Sequence, residues 1–201
     1  MKVGILPAAG KAIRFGGVDK ELLKLNGKTM LEHAAARLPE NVVVITTEGK
    51  LQNHMKVLPK AIFAIQEGNQ DLWSAIKTGL TFQADRYYMT MPDTYMRVDV
   101  FKNAPQEDFN LGTFTTDKPE RFGVLRDNRV IDKQAGEIPA TAWGVLTWSR
   151  NVRDYWLKCE VNNFCEAINV AMTAFYFQTW DIGKYHDLAS AEDYTKLLCR
   201  K

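Results

Sequence analysis

The chain has 201 residues, of which 46% are hydrophobic and 25% charged, proportions typical of a globular protein rather than a disordered or fibrous one. Its 26 Lys and Arg against 24 Asp and Glu leave a formal charge of +2, which argues against a broad nucleic-acid-binding surface. A chain of this length can bury roughly 70% of its unfolded surface in one core. We therefore expect a single domain over residues 1–201.

The first half of the chain predicts alternating strands and helices. Continuous apolar runs indicate buried strands, and apolar residues at helical spacing indicate helices, the second of them capped by Asp71. The predicted strands cover Val3–Leu6, Val42–Ile45, Ala61–Ile65 and Arg86–Thr90, and the helices cover Thr29–Leu38 and Leu72–Phe82. This alternation implies right-handed crossovers and a mostly parallel sheet.

The second half predicts antiparallel additions to that sheet. A hairpin is indicated around Asp127-Asn128, and a final helix begins at a Ser190 cap. The predicted segments are strands over Phe122–Arg126, Arg129–Lys133, Ala140–Thr147 and Ala174–Thr179, and helices over Asn163–Thr173 and Ser190–Leu198. Ligands of such α/β sheets bind outside the carboxyl ends of the strands, so we expect a site near Pro7, Ile65 and Met91.

Two features bear on location. The apolar run Met1–Leu6 stops at Pro7, too short for a signal sequence or a membrane span, so we expect neither. The three cysteines, Cys159, Cys165 and Cys199, have no C-x-x-C spacing, so we expect reduced thiols in a cytoplasmic protein.

The segment Ala8–Lys20 follows the first predicted strand and combines small residues with three cations. Backbone N–H groups of small residues can approach a polyphosphate, and Lys11, Arg14 and Lys20 add cationic donors. On composition alone, a flexible glycine loop with solvated charges fits equally well. Two common phosphate motifs fail here, because Leu22 and Ala12 stand where a P-loop and a dinucleotide fingerprint need glycine.

Several motifs, in chain order, resemble known enzymes. The first loop resembles the N-terminal signature of nucleotidyltransferases with a glycosyltransferase-A-like α/β fold, carried by Leu6-Pro7-Ala8-Ala9-Gly10, Arg14 and Lys20. Within that superfamily, the stretch from Gly10 to Lys28 is similar to molybdenum cofactor guanylyltransferases. Later segments resemble sugar-1-phosphate nucleotidylyltransferases: Glu120–Val124, Asp127–Ile131, Asp132-Lys133 and Trp180–Gly183.

The resemblance implies a three-layer Rossmann-like fold with a mostly parallel central sheet and a few antiparallel strands. It also implies roles for individual residues. Arg14 and Lys20 would be catalytic, Asp93 and Asp181 would bind Mg²⁺, and Gly123 and Lys133 would hold the sugar phosphate. The nucleotide would be bound by Ala8, Ala9, Gly10, Lys11, Ala12, Gln66 and Gly68.

For each of these positions an ordinary structural role competes with the functional one. Asp93 and Asp181 suit turns or caps, Lys133 suits an exposed hairpin, and Gln66 suits a polar loop. Two departures weaken the likeness to the sugar branch: Asp19 precedes Lys20 where proline is usual, and Gln134 follows Lys133.

The expected reaction is attack by a sugar-1-phosphate oxygen on the α-phosphorus of a nucleoside triphosphate, with release of pyrophosphate and Mg²⁺ as the cofactor. A phosphate monoester is largely ionised at neutral pH, so no strong general base is needed. The alternatives are a molybdenum cofactor guanylyltransferase and a non-catalytic nucleotide-binding module. The sequence leaves the nucleobase, the sugar and the oligomeric state open, and it predicts no nucleic-acid or membrane partner.

Overall fold

The computed structural model describes residues 1–10, 18–69 and 71–199. Short 3₁₀ turns cover Lys20–Leu22 and Pro119–Arg121. The strands are β1 (Lys2–Pro7), β2 (Lys24–Leu25), β3 (Lys28–Thr29), β4 (Val42–Thr46), β5 (Ile62–Ile65), β6 (Arg86–Thr90), β7 (Thr94–Tyr95), β8 (Phe109–Thr116), β9 (Gly123–Arg126), β10 (Arg129–Asp132), β11 (Ala140–Ser149), β12 (Phe177–Asp181) and β13 (His186–Asp187). The helices are α1 (Met30–Ala35), α2 (Glu48–Val57), α3 (Leu72–Leu80), α4 (Arg150–Trp156), α5 (Phe164–Ala174) and α6 (Ala191–Leu198).

A mixed central sheet organises the chain. Its strand order is β10-β9-β11-β6-β1-β4-β5, and β8 pairs with β11 and β12. The neighbours β6, β1, β4 and β5 run parallel, whereas β11 is antiparallel to β6, β8 and β9. The prediction of a mostly parallel α/β sheet with late antiparallel strands is confirmed.

Helices cover both faces of the parallel strands, which gives three layers. Along β1, Ile5 belongs to the core cluster that includes Ile76 of α3, while the next residue, Leu6, packs with Leu31 of α1. Because successive strand residues point to opposite faces, a strand that is apolar at every position needs cover on both sides.

The predicted helix caps are present. Asp71 accepts a hydrogen bond from the Ser74 amide at 2.8 Å, and Ser190 forms a capping box with Asp193 at the start of α6. Each cap satisfies backbone N–H groups that lack a partner within the helix.

Strand β8 and helices α2 and α4 were not predicted. Strand β8 lies between β11 and β12 in the sheet, but Gly112 and three threonines weaken its apolar pattern. Helix α2 is mostly polar, so its apolar periodicity is faint. Among the described residues, no helix is long and apolar enough to cross a membrane.

We expect Gly112→Ala to destabilise the centre of the sheet. An added Cβ would stand 2.4 Å from Val145 Cγ2 and 2.6 Å from Ile182 Cγ2, so packed side chains must shift. Overpacking of this kind costs about 1–3 kcal/mol, and thermal unfolding should show Tm lower by roughly 2–10 °C. Gly49→Ala on α2 is the control, because no heavy atom lies within 4 Å of its added Cβ. An unchanged Tm for Gly112→Ala would show that the sheet yields there without cost.

Candidate functional site

A cavity of about 730 Å³ opens at the carboxyl ends of β1 and β6. Pro7 and Met91 line it, as expected from the sheet topology, and so do Gly123, Asp132 and Lys133 of the β9–β10 hairpin. Ile65 is not among the lining residues described, although Asn69 and Asp71 in the loop after β5 are. The volume is that of a small-molecule site.

Lys20 and Asp93 form an ion pair in this cavity. Lys20 begins the 3₁₀ turn, and Asp93 follows the end of β6. The Lys20 ammonium contacts Asp93 Oδ2, and both side chains are only 19% exposed. Two residues to which the sequence assigned separate roles therefore lie in direct contact.

A second carboxylate, Asp187, lies beside Asp93. The short strands β7 and β13 pair so that Asp187 is opposite Thr94, and the Leu188 amide donates to the Asp93 carbonyl at 3.1 Å. Arg121 donates to Asp187 Oδ2 at 2.7 Å and to Asp193 Oδ2 at 3.0 Å. The site thus contains two neighbouring ion pairs, Lys20–Asp93 and Arg121–Asp187.

Electrostatics at Asp187 indicate crowded negative charge. Burial, followed by the charge of Asp93, raises the pKa of Asp187 above its ordinary value, although Arg121 and Lys20 oppose the shift. A divalent cation would relieve this repulsion, and carboxylate oxygens are the ligands that Mg²⁺ prefers. No group of three or more acidic, His or Cys ligands occurs within the part of the chain described. Asp93 and Asp187 thus offer two carboxylates of the kind that such an ion binds.

Asp181 does not join Asp93, which contradicts the pairing expected from the sequence. Because side chains alternate along β12, Trp180 takes the buried side and Asp181 is exposed. Its Oδ1 accepts a hydrogen bond from the Gly183 amide at 2.8 Å, and among the described lining residues of the cavity it is absent. Asp181 has a turn-stabilising role in this structure, and the carboxylate beside Asp93 is Asp187.

The first loop is described only at its ends. Ala8 and Gly10 line the cavity, whereas Ala9 is buried at 3% exposure. The Ala8 amide donates to the Ile45 carbonyl at 2.7 Å, so it is already engaged within the sheet. The predicted residues Lys11, Ala12 and Arg14 lie outside the described residues.

The β9–β10 hairpin brings Gly123 and Lys133 to the cavity. The Lys133 amide donates to the Phe122 carbonyl at 2.9 Å, where the chain turns with a positive φ of 45°. A Cβ on Gly123 would stand 2.3 Å from Trp143 Nε1, so only glycine admits this indole. Among the described residues the Trp143 Nε1 donor is buried without a hydrogen-bond partner, and Trp143 lines the cavity.

Neither Gln66 nor Gly68 is among the described lining residues of the cavity. Gln66 is 4% exposed, and its side-chain amide donates to the carbonyls of Asn69 at 2.8 Å and Asp71 at 3.0 Å. Gly68 takes a positive φ of 71° that favours glycine. Both residues shape the loop that presents Asn69 and Asp71 to the cavity.

Comparison with known proteins gives a family. The model of the MobA-like NTP transferase domain matches residues 4–103. The chain belongs to the nucleotidyltransferase superfamily. The matched segment contains Lys20 and Asp93, so their ion pair lies in the part of the chain that the MobA-like domain covers.

Solved structures share the superfamily fold along nearly the whole chain. A protein assigned as a glucose-1-phosphate thymidylyltransferase from Bacillus anthracis, in complex with a sucrose, is 17% identical, with a TM-score of 0.86 over 98% of this chain and 94% of that one. The inositol-1-phosphate CTP transferase from T. maritima is 18% identical, with a TM-score of 0.75 over 98% and 94%. HddC from Yersinia pseudotuberculosis is 18% identical, with a TM-score of 0.72 over 98% and 97%.

Sequence reasoning missed the parts played by Arg121 and Asp187. Arg121 belongs to the Glu120–Val124 motif, which was a usable signal, but the motif does not state what the guanidinium contacts. Asp187 ends a strand of two residues, too short for any periodic pattern to reveal.

We expect Asp187→Asn to raise the Tm of the unliganded protein at pH 7 by roughly 2 °C. A folded-state pKa above the unfolded value means that ionised Asp187 destabilises the folded protein. Removing its charge should therefore raise the free energy of unfolding at pH values above the unfolded pKa. The gain should vanish near pH 3, where roughly all of the wild-type side chain is protonated in both states.

Asp193→Asn is the matched control for that measurement, because Asp193 contacts the same Arg121. Burial raises the pKa of Asp193, but hydrogen bonds from Arg121 and Ser190 outweigh it and hold the pKa below its ordinary value. This substitution should therefore lower Tm at pH 7. A fall in Tm for both variants would contradict the account of crowded charge at Asp187.

Proposed function

We propose that the protein transfers a nucleoside monophosphate from a nucleoside triphosphate to a sugar-1-phosphate and releases pyrophosphate. The observation that carries the proposal is that the pairs Lys20–Asp93 and Arg121–Asp187 and the side chain of Lys133 all line one cavity. Membership of the nucleotidyltransferase superfamily supports the transfer, and the names of the solved structures above support a phosphorylated acceptor.

The proposed chemistry depends on positioning and charge neutralisation rather than on a general base. An acceptor phosphate with a second pKa near ~6 already carries its nucleophilic oxygen in ionised form. Lys133 would hold that phosphate, while Lys20 would contact the α-phosphate. Both lysines line the same cavity, so they would hold the two anions close together, and pyrophosphate would leave as the acceptor oxygen attacks the α-phosphorus. Arg14 would stabilise the departing pyrophosphate.

Asp93 and Asp187 would hold a Mg²⁺ ion, which when bound supplies charge neutralisation at the phosphates. In the protein alone their charges are balanced by Lys20 and Arg121. With Asp93 and Asp187 engaged in this way, Lys20 and Arg121 would be free to donate to phosphate oxygens instead. The two ion pairs would therefore hold Lys20 and Arg121 in place before substrate binds.

Three aromatic residues, Trp73, Trp143 and Phe164, also line the cavity. Trp73 and Phe164 are buried and stack on each other, so Trp143, which is half-buried, would be the aromatic contact for a sugar ring.

A molybdenum cofactor guanylyltransferase is the second candidate, favoured by the MobA-like match over residues 4–103. Turnover with GTP and molybdopterin, and with no sugar-1-phosphate, would support it. Binding of triphosphates without turnover on any acceptor would support a non-catalytic module.

The test is pyrophosphate release from a panel of nucleoside triphosphates and sugar-1-phosphates in MgCl₂. We expect Asp93→Asn and Asp187→Asn each to reduce kcat/KM by on the order of 10²–10³, by analogy with the loss of one preorganised electrostatic group. EDTA should abolish turnover, and added MgCl₂ should restore it.

Asp181→Asn is the matched control, since it makes the same change on an exposed aspartate of the same chain segment. Its kcat/KM should stay within about twofold of wild type, because surface substitutions away from a site have small effects. Loss of activity in Asp181→Asn, with Asp187→Asn unaffected, would contradict the assignment of the second carboxylate.

A further inference from the structure

A buried charge cluster lies directly behind Lys20. We call it the Lys50 cluster, and it consists of Asp19, Glu21, Lys50 and His54. The Lys50 ammonium contacts Asp19 Oδ1 at 2.7 Å, Glu21 Oε1 at 2.7 Å and the Gly10 carbonyl at 2.6 Å. An ammonium has three N–H donors, so these contacts use all of them.

The acceptors come from two separate stretches of chain. Gly10 follows β1, whereas Asp19 and Glu21 are the immediate neighbours of Lys20 on either side. Lys50 itself lies in the first turns of α2, after β4. One side chain from helix α2 therefore ties the Gly10 carbonyl to both neighbours of Lys20.

His54, one turn along α2 from Lys50, completes the cluster. Its Nδ1 is 2.8 Å from Thr46 Oγ1, and its Nε2 is 3.3 Å from Glu21 Oε1. Glu21 is 4% exposed and His54 is fully buried. A buried carboxylate is costly unless it is paired, so Glu21 depends on these partners.

Glu21 and Lys50 of this cluster stay charged at neutral pH. Burial raises the pKa of Glu21, but His54 and Lys50 outweigh it, so the pKa lies below its ordinary value. For Lys50, burial lowers the pKa, but Asp19 and Glu21 more than compensate and the pKa is raised. The contact therefore favours the charged form of both Glu21 and Lys50, and this ion pair persists as pH varies around 7.

We propose that Lys50 is a positioning residue for Lys20. By holding both neighbours of Lys20 and the Gly10 carbonyl, it fixes the backbone from which the Lys20 ammonium reaches Asp93 and the phosphate. This inference rests on the proposed function. Displacement of a reacting or charge-stabilising group by about 1 Å can cost up to ~10²-fold in rate, so an anchor of this kind has a measurable effect.

The test is a double-mutant cycle with Lys50→Met and Lys20→Met. The probe is whichever of ATP, CTP, GTP, UTP and dTTP the wild type turns over fastest, with MgCl₂, and titration calorimetry measures its dissociation constant. We expect Lys50→Met to weaken binding of the triphosphate about tenfold and to leave KM for the acceptor within about twofold. In the Lys20→Met background the same substitution should have almost no effect, because the group it positions is gone.

A control variant and a substitute variant complete the experiment. Lys56→Met, an exposed lysine on the same helix, should bind the triphosphate like wild type. Should Lys50→Met fail to fold by circular dichroism, Asp19→Asn replaces it, since it removes one contact and leaves Lys50 paired with Glu21.

The outcomes separate this inference from the proposed function. A wild type that neither binds nor turns over any triphosphate overturns both. A wild type with normal turnover, together with a Lys50→Met variant of unchanged affinity, overturns only the role of Lys50. The positioning role of Lys50 is also overturned if Lys50→Met weakens triphosphate binding equally in the wild-type and Lys20→Met backgrounds.

Discussion

Repulsion between two carboxylates held side by side is the constraint on which the rest of the site depends. Asp93 and Asp187 meet where β6 ends, and burial strengthens their interaction because little water screens it. Each is balanced by one cation, Lys20 or Arg121. Burial and the charge of Asp93 together disfavour the ionised form of Asp187 in the protein alone, and a perturbed carboxylate of this kind in a cavity is typical of a functional site.

The two cations are themselves held from behind by separate parts of the fold. Arg121 also contacts Asp193, which caps α6, so the C-terminal helix is tied to the cavity. Lys20 is flanked by the two acids that Lys50 anchors to α2. Lys20 and Arg121, which lie in short 3₁₀ turns, are thereby tied to helices α2 and α6. Neither helix contributes a described lining residue to the cavity.

The division of the chain agrees with this arrangement. The MobA-like match ends at residue 103, so it includes Lys20 and Asp93 but not Arg121, Lys133 or Asp187. Structures that are 17–18% identical keep the fold over 98% of the chain, so the sheet persists while most side chains change. The N-terminal residues that face the proposed nucleotide thus lie in the matched segment, and the acceptor side lies beyond it.

Most regular elements of the fold could be predicted from local sequence. Apolar runs identified β1, β4 and β6, and polar caps such as Asp71 marked helix starts, because both signals depend only on neighbouring residues. Strand β8 was not predicted because Gly112 interrupts its apolar pattern. The reason for this glycine is its close packing against β11 and β12, which are distant in sequence. Helix α2 escaped because its stability comes from tertiary contacts, including those of Lys50 and His54.

Sequence alone determined the fold class and the residues Lys20, Asp93, Gly123 and Lys133, which the structure brings to one cavity. It assigned Asp181 through the resemblance of Trp180–Gly183 to a family motif, and it did not single out Asp187, which ends a strand of two residues. Only the pairing of two-residue strands, β7 with β13, placed Asp187 beside Asp93 and left Asp181 on the surface. Contacts between residues almost a hundred positions apart arise from the assembled sheet, and no local pattern encodes them.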